Sequence, residues 1–471
     1  MRRVALALAL ALVPATAAAW EPQTTHGGLA EQAALASRLH KRLVSLGFPG
    51  GLFEPLTIPP ADAPALSAAL KQLSPTHGSV PDARGRQAAL AWLTAGAALA
   101  DLPASQGANH FFDPTTGAGW IAPGRALPDK LGALGQAALP DKGVPAPDWV
   151  TAKANPFNVE QFCNQYAKAV SAATPGERSR YMAAALIAAG AMLHTLGDLG
   201  APSRVRGDEA AHLEPQGAGA ADRGSRFERI AALAFGRLGV PGPSRTITRT
   251  HLRDYFTSKD GGGLADLIAR SYFSPNTLPE PTRVSGDTRP RLVRPQPALP
   301  ARLNLMAANR DDGTTLRSSA GICLARYRVE HDTLTFSLDD DCILEELSVI
   351  LPEVTAYETG LLDFLLRGEL TVTVADQVTV TGAGLGAGSV EILAEDDRGV
   401  RTSITTVPTT GTPAAGGTGA AGSAGTPATA GLDQLAHVPV PASGTRVVAV
   451  YRGNDAAGEP IVAVGAAPLG H

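Results

Sequence analysis

Met192-Leu193-His194-Thr195-Leu196-Gly197-Asp198-Leu199-Gly200-Ala201-Pro202 closes an alanine-rich run. The run opens at Thr174-Pro175-Gly176-Glu177, with Thr at the N-cap, Pro at the first helical position and Glu three residues after the cap. That combination satisfies two orphan backbone donors and pre-sets the first turn, so a helix is predicted over 174–199. Residues four apart on a helix lie over one another. His194 and Asp198 therefore present an imidazole and a carboxylate on one face, about 6 Å apart along the axis. Inside a helical bundle such a charge is costly unless a metal or another partner takes it up. An H-x3-D pair alone is a weak signal, and its weight depends on donors elsewhere in the chain.

At 471 residues the chain is too long for one ordinary core, and two domains are expected. A net charge of -4 gives no bulk argument for nucleic acid or an anionic membrane. Residues 1–19 read as a secretory signal peptide: Arg2 and Arg3 form the positive start, Val4 to Val13 a short apolar run, and Ala17-Ala18-Ala19 a small-residue cleavage site. That run is too short to span a bilayer, and no later segment reads as long and apolar enough. The mature chain is expected to be exported and to begin at Trp20. Export permits a disulfide. Cys323 and Cys342 flank a hairpin pattern, Leu324 to Leu338, and are the expected pair, while Cys163 sits on a helix as a small apolar group.

Apolar residues recur at helical spacing from Thr25 to Leu46, and Gly47 ends the run. Further helices are predicted at 61–73, 83–100, 128–138, 159–172, 225–238 and 263–272. A Pro- and Arg-rich stretch, 274–317, has no period and reads as an irregular surface excursion. A last helix is expected over 344–366, kinked or begun at Pro352. Beyond Gly368 the period changes to two, as in Leu370, Val372 and Val374, and strand patterns recur to Val464. Between them, 409–431 is Gly, Ala, Thr, Ser and Pro almost throughout and cannot bury a core. The predicted architecture is a mainly all-α domain, 20–368, followed by a small all-β sandwich, 369–471, whose plainest role is a spacer or a surface-attachment module.

Other donors lie at His26, at Asp101 ending Gly96-Ala97-Ala98-Leu99-Ala100-Asp101, and at His110 opening His110-Phe111-Phe112-Asp113-Pro114. Each has an ordinary explanation taken singly. Together with His194 and Asp198 they are nitrogen and oxygen donors of the kind Zn2+ prefers, carried on different helices. With Trp20 at the cleaved terminus, the set resembles the zinc-dependent phospholipase C family and the related single-strand-specific zinc nucleases, over about Trp20 to Gly368. The resemblance implies one zinc held by Asp101, His110, His194 and Asp198. It implies a second held by the amino nitrogen and carbonyl of Trp20, by His26 and by a bridging Asp198, with Asp101 orienting the water that attacks phosphorus. The amine is a ligand only after signal cleavage, so the precursor is expected to lack the second ion.

The chain also departs from that family. Three-metal members carry a further His after the loop Pro and an H-x3-E on the next helix; here Arg204 follows Pro202-Ser203, and Gly224 stands four before Glu228. Two alternatives follow: His212 with Glu228 rebuilds a metal site, or the Arg204 guanidinium pairs with Glu228 in place of the ion. Leu102 stands where choline-preferring members have an aromatic residue. Phe111, Phe112 and Trp120 suit packing of the turn as well as contact with a base or lipid. The expected activity is phospholipid hydrolysis by a monomer, without a stable nucleic-acid partner and with membrane-surface or cell-surface contact through the β-domain. The other readings are a zinc nuclease or phosphomonoesterase, and a binding module in which zinc only staples the bundle.

Overall fold

In the computed structural model the Thr174 cap forms as the sequence predicts: Glu177 donates its backbone N–H to the Thr174 hydroxyl at 3.2 Å, and the Glu177 carboxylate accepts from Thr174 N at 3.1 Å. The structure describes residues 25–58, 82, 84–102, 104–123, 140–214, 225–235, 239–284, 297, 299, 302–409 and 433–470. The signal peptide, Trp20, the helices expected at 61–73 and 128–138, and the low-complexity stretch beyond Thr409 lie outside these residues.

The helices that position the site are α1 (Gly27–Ala36), α2 (Ala89–Leu99), α3 (Val159–Ser171), α4 (Pro175–Gly197), α5 (Pro202–Val205), α6 (Glu209–His212), α7 (Arg226–Phe235) and α8 (Asp340–Leu365). Helix α4 is the axis of the bundle, touching α2, α3 and α8. By length and composition the segment Pro175–Gly200 is apolar enough to cross a membrane, contrary to the sequence reading, but 94% of its most apolar window is buried inside the protein. Small residues explain how closely it is packed. A Cβ on Gly190 would stand 1.9 Å from the Leu93 carbonyl oxygen, and one on Gly96 would stand 2.1 Å from the Ile187 carbonyl oxygen. Only glycine lets α2 and α4 approach this far, which brings Asp101, just past α2, towards the end of α4.

Several expectations need correction. The run from Thr25 to Leu46 is two helices, broken at Ser37, whose backbone turns extended before Leu39–Ser45. Pro352 lies inside α8, which starts at Asp340 under an Asp339 cap that accepts from Cys342 N at 2.8 Å. Burial of Ile343, Leu347, Ile350, Leu351 and Val354 outweighs the hydrogen bond that proline removes. The first region also contains strands. β1 (Pro55–Thr57) pairs with β2 (Arg86–Ala88), so the helix expected from 83 starts only at Ala89. The stretch 274–317 is no mere excursion, because it supplies β3 (Thr282–Arg283) and β4 (Thr314–Arg317) to the edges of a four-stranded sheet. Its centre is the predicted hairpin, β5 (Cys323–Glu330) and β6 (Thr333–Ser337), turned by His331 and Asp332 with positive φ. The Cys323–Cys342 disulfide ties that hairpin to α8, with Cα atoms 5.0 Å apart. Cys163 is free and buried, and burial pushes its thiol up to about 11.

The helical region is followed by a β region of seven strands: β7 (Gly368–Val374), β8 (Gln377–Gly382), β9 (Leu385–Glu395), β10 (Arg401–Thr409), β11 (Asp433–Pro439), β12 (Arg446–Asp455) and β13 (Pro460–Pro468). Their order is β10-β9-β12-β13-β7-β8-β11. Two antiparallel groups are joined edge to edge by the parallel pairing of β13 with β7 at Ala463↔Gly368 and Val464↔Glu369. Val378, Val380 and Val438 of one group share a core with Val390, Ile392, Val447 and Ala449 of the other, so the sheet closes over itself as a sandwich does.

Candidate metal centre

Four side chains converge where α4 ends. His194 closes α4 and Asp198 caps it, Asp101 follows α2, and His110 ends the short 3-10 turn Ala104–His110. One ligand atom from each lies within 4.8 Å of the others, and all four residues are buried. Asp198 is the hub. Its Oδ2 is 2.8 Å from His110 Nδ1 and 3.2 Å from His194 Nε2, while its Oδ1 is 3.2 Å from His26 Nε2. Asp101 closes the opposite side, 3.3 Å from His110 Nδ1 and 3.5 Å from His194 Nε2. His26, just before α1, stacks on His194 with ring centroids 3.5 Å apart. The two oxygens of Asp198 thus face different imidazoles, the geometry a bridging carboxylate needs. Trp20, the other expected ligand beside His26, lies outside the described residues.

The cluster fits a divalent cation on its own chemistry. Both Asp101 oxygens, both His194 nitrogens and His110 Nε2 are buried without a hydrogen-bond partner among the described residues. Buried polar groups are normally paired, and a set of orphaned acceptors at this spacing is what a cation completes. Without an ion the charges answer one another. Burial drives His194 down, but Asp101 and Asp198 outweigh it and hold the imidazole at about 10. Burial and then the neighbouring His194 lower His26 to about 4, leaving it neutral. Burial raises the Asp101 and Asp198 carboxyls, yet the cations around them hold both far below the usual carboxylate range; for Asp198 the foremost of these is Arg204.

Beside this centre, Arg204 of α5, His212 of α6 and Glu228 of α7 form a second buried group. Arg204 donates Nε–H to Glu228 Oε1 at 2.8 Å, and His212 Nδ1 stands 3.5 Å from Glu228 Oε2. Arg204 Nη1 is 3.5 Å from Asp198 Oδ2, so the guanidinium joins the two groups. Both residues named in the two alternatives reach Glu228, the Arg204 guanidinium on one carboxylate oxygen and His212 on the other. Phe111 lies under the Arg204 guanidinium at 4.6 Å and meets His212 edge-on at 5.3 Å; Trp120 packs on Phe111 and donates to Pro140 O at 2.8 Å. Phe111, Phe112 and Trp120 are buried, and they hold the turn rather than present a stacking surface. The turn is also tied to the arginine loop by Phe112 N donating to Arg204 O at 3.0 Å.

One residue near the centre carried no signal in the sequence. Glu358 of α8 lies against Gly197, where a Cβ would stand 2.5 Å from Glu358 Oε1. Burial pushes its carboxyl well above the ordinary range. A Glu at this point of an amphipathic helix reads as solvated, and only the bundle shows that it faces inwards. Leu102, half-buried, lines a narrow cavity beside His110 with Trp149 and Phe157.

No family model matches the sequence, and no curated protein matches it. Among solved structures the chain aligns distantly with an alpha toxin from Clostridium absonum, at 12% identity and a TM-score of 0.32, over 96% of each chain. It aligns also with the alpha-toxin of Clostridium perfringens from an avian strain, at 12% identity and a TM-score of 0.30, over 96% of this chain and 99% of that one.

Proposed function

We propose that the chain is a secreted zinc-dependent phosphodiesterase that hydrolyses phospholipid at phosphorus, in the manner of a phospholipase C. The observation that carries this reading is the orphaned, buried set of Asp101, His110, His194 and Asp198, a donor group that suits zinc and is spread over three segments of the bundle. Bound there, zinc supplies Lewis-acid charge for a phosphate oxygen and lowers the pKa of water towards about 7. His26 and the second oxygen of Asp198 are half of a further site, which the freed amine of Trp20 would complete after export. The signal-like residues 1–19 and the Cys323–Cys342 disulfide support that export.

The protein's own groups supply the rest. Asp101, whose side chain is the most exposed of the four, would accept a hydrogen bond from the attacking water and orient it towards phosphorus. Arg204 holds Nη1 and Nη2 without hydrogen-bond partners among the described residues, a fixed positive fork for the non-bridging oxygens. It lacks the empty orbital of a metal and cannot polarise a leaving group in the same way. Phospholipid is preferred to nucleic acid because the chain carries a net charge of -4 and no basic, aromatic stripe.

The test is a substrate panel with purified mature protein. Asp101→Asn is expected to abolish phospholipid turnover with helical content unchanged by circular dichroism. Preference for nucleotides or phosphomonoesters would replace the substrate assignment. Wild-type protein that binds zinc and hydrolyses none of them would leave the zinc as a staple of a binding module.

A further inference from the structure

A second cluster of charge lies at the opposite end of the bundle, where the helical region meets the strands. A cavity of about 270 Å³ opens there, lined by Arg42, Arg401, Arg446 and Glu369. The three arginines come from separate elements: the helix Leu39–Ser45, the first residue of β10 and the first residue of β12. Two of the forks stand together beside Gly47, held at φ +95, where a Cβ would stand 3.2 Å from Arg446 Nη2 and 3.9 Å from Arg401 Nη2. A fourth guanidinium, Arg178 of α4, reaches the same corner and donates to Gly399 O at 2.7 Å.

Negative charge is short. Glu395 accepts from Arg401 Nε at 2.6 Å and from Arg446 Nε at 2.7 Å and Nη2 at 3.1 Å, which leaves Arg446 Nη1 to the cavity, and it stands 3.9 Å from Arg178. The other carboxylate, Glu369, is largely exposed and reaches no closer than 3.9 Å to Arg42 Nη1. Arg42 and Arg401 each donate one N–H to a backbone carbonyl, of Gly368 and Val170, which satisfies a donor but cancels no charge. Arg42 Nε is buried with no partner among the described residues. Three guanidiniums, those of Arg178, Arg401 and Arg446, therefore share the Glu395 carboxylate, and Arg42 faces the exposed Glu369 across 3.9 Å. Burial first, and then the neighbouring arginines, hold Arg178 down to about 10, the sign of cations crowding a partly desolvated space. Uncompensated buried cations are costly, and an anion between them offsets that cost.

We propose that this cavity binds a tetrahedral oxyanion of the phosphate class, clamping the helical and β regions together. The Glu395 carboxylate engages Arg401 and Arg446 with two oxygens in one plane, whereas a tetrahedral anion offers oxygens to the remaining N–H groups of Arg42, Arg401 and Arg446 from three directions. The volume holds such an ion with accompanying waters, each of which takes about 30 Å³ in the liquid. The site is independent of the metal centre, since none of its side chains belongs to that cluster.

The test uses the full mature chain with its metal, titrated calorimetrically with inorganic phosphate and crystallised in its presence. Phosphate is expected to appear between the three guanidiniums. Arg42→Gln and Arg446→Gln should each weaken that binding at least tenfold without changing zinc content. Arg446→Lys keeps the charge and the pair with Glu395 but loses the fork, and should weaken binding several-fold in a protein that folds normally. Glycerol 3-phosphate binding as tightly as phosphate would identify an esterified ligand, and its exclusion would identify the free ion. No density between the guanidiniums, or one affinity across the wild type and all three variants, would overturn the proposal.

Discussion

The two buried charge groups that meet at Asp198 answer the same problem in opposite ways. Asp101, His110, His194 and Asp198 are rich in acceptors and leave lone pairs orphaned in the interior. In the neighbouring group Glu228 is paired on Oε1 by Arg204, a cation that the chain itself supplies, while both Nη atoms of that guanidinium keep no hydrogen-bond partner among the described residues. Burial is nearly complete in both, so solvent does not distinguish them. On the proposed reading the first group is completed by an ion taken from outside, while the second already carries its own cation and keeps two guanidinium nitrogens for a ligand. On that reading a centre built from both has one exchangeable charge beside one permanent charge.

The largest effect that would break this contrast is at the hub. Asp198→Asn removes the charge facing His26, His110, His194 and Arg204 at once. Changes in groups that merely support a metal ligand cost about 10- to 100-fold in affinity, and loss of the ligand itself is expected to exceed that. Equilibrium dialysis with zinc reads the result, and unchanged zinc content would show that the orphaned donors are not a metal site.

The next effect sharpens the other half. Arg204→Met leaves the buried Glu228 with His212 at 3.5 Å in place of a close cation, and removing one partner of a buried pair costs about 3–5 kcal/mol. The double variant Arg204→Met with Glu228→Gln should recover most of that loss in denaturant unfolding, because no charge is then left alone. If the single variant is as stable as wild type, Arg204 is not what closes the second group.

The convergence of this centre was legible because its donors sit in short motifs at element ends: Asp101 after α2, His110 after its turn, His194 and Asp198 on one face of α4. So was the pairing of Arg204 with Glu228, one of the two arrangements the sequence left open. What periodicity could not show is the reason the motifs meet. Gly96 and Gly190 look like weak points in helices, yet each stands against the other helix's backbone. The strands β3 and β4 were hidden because short edge strands in a Pro- and Arg-rich segment have no repeat to read. Helix α8 runs through Pro352 because its buried face outweighs one missing donor. Glu358 and the arginine cavity depend on which faces of distant elements come together, information that no window of sequence holds.

The smallest expected effect concerns that cavity, where the chain supplies more permanent cations than it closes. Burial raises the Glu395 carboxyl, but hydrogen bonds from Arg446 and Arg401 more than reverse this, and its folded value lies below the ordinary 4.5. A carboxyl depressed on folding adds stability that is fully present above its unfolded value and is lost as pH falls through the folded one. The protein should therefore lose part of its stability below about pH 4.5, where the unfolded chain begins to bind the proton that Glu395 refuses. Glu395→Gln is expected to lower stability at neutral pH and to flatten that acid slope by up to about one proton, read from unfolding midpoints measured across the acid range. Added phosphate should restore more stability in Glu395→Gln than in the wild type, because the external anion then replaces the missing carboxylate. Equal restoration would show that the two charges do not share one pocket, and the difference between a cation closed by the chain and one left open would lose its support there.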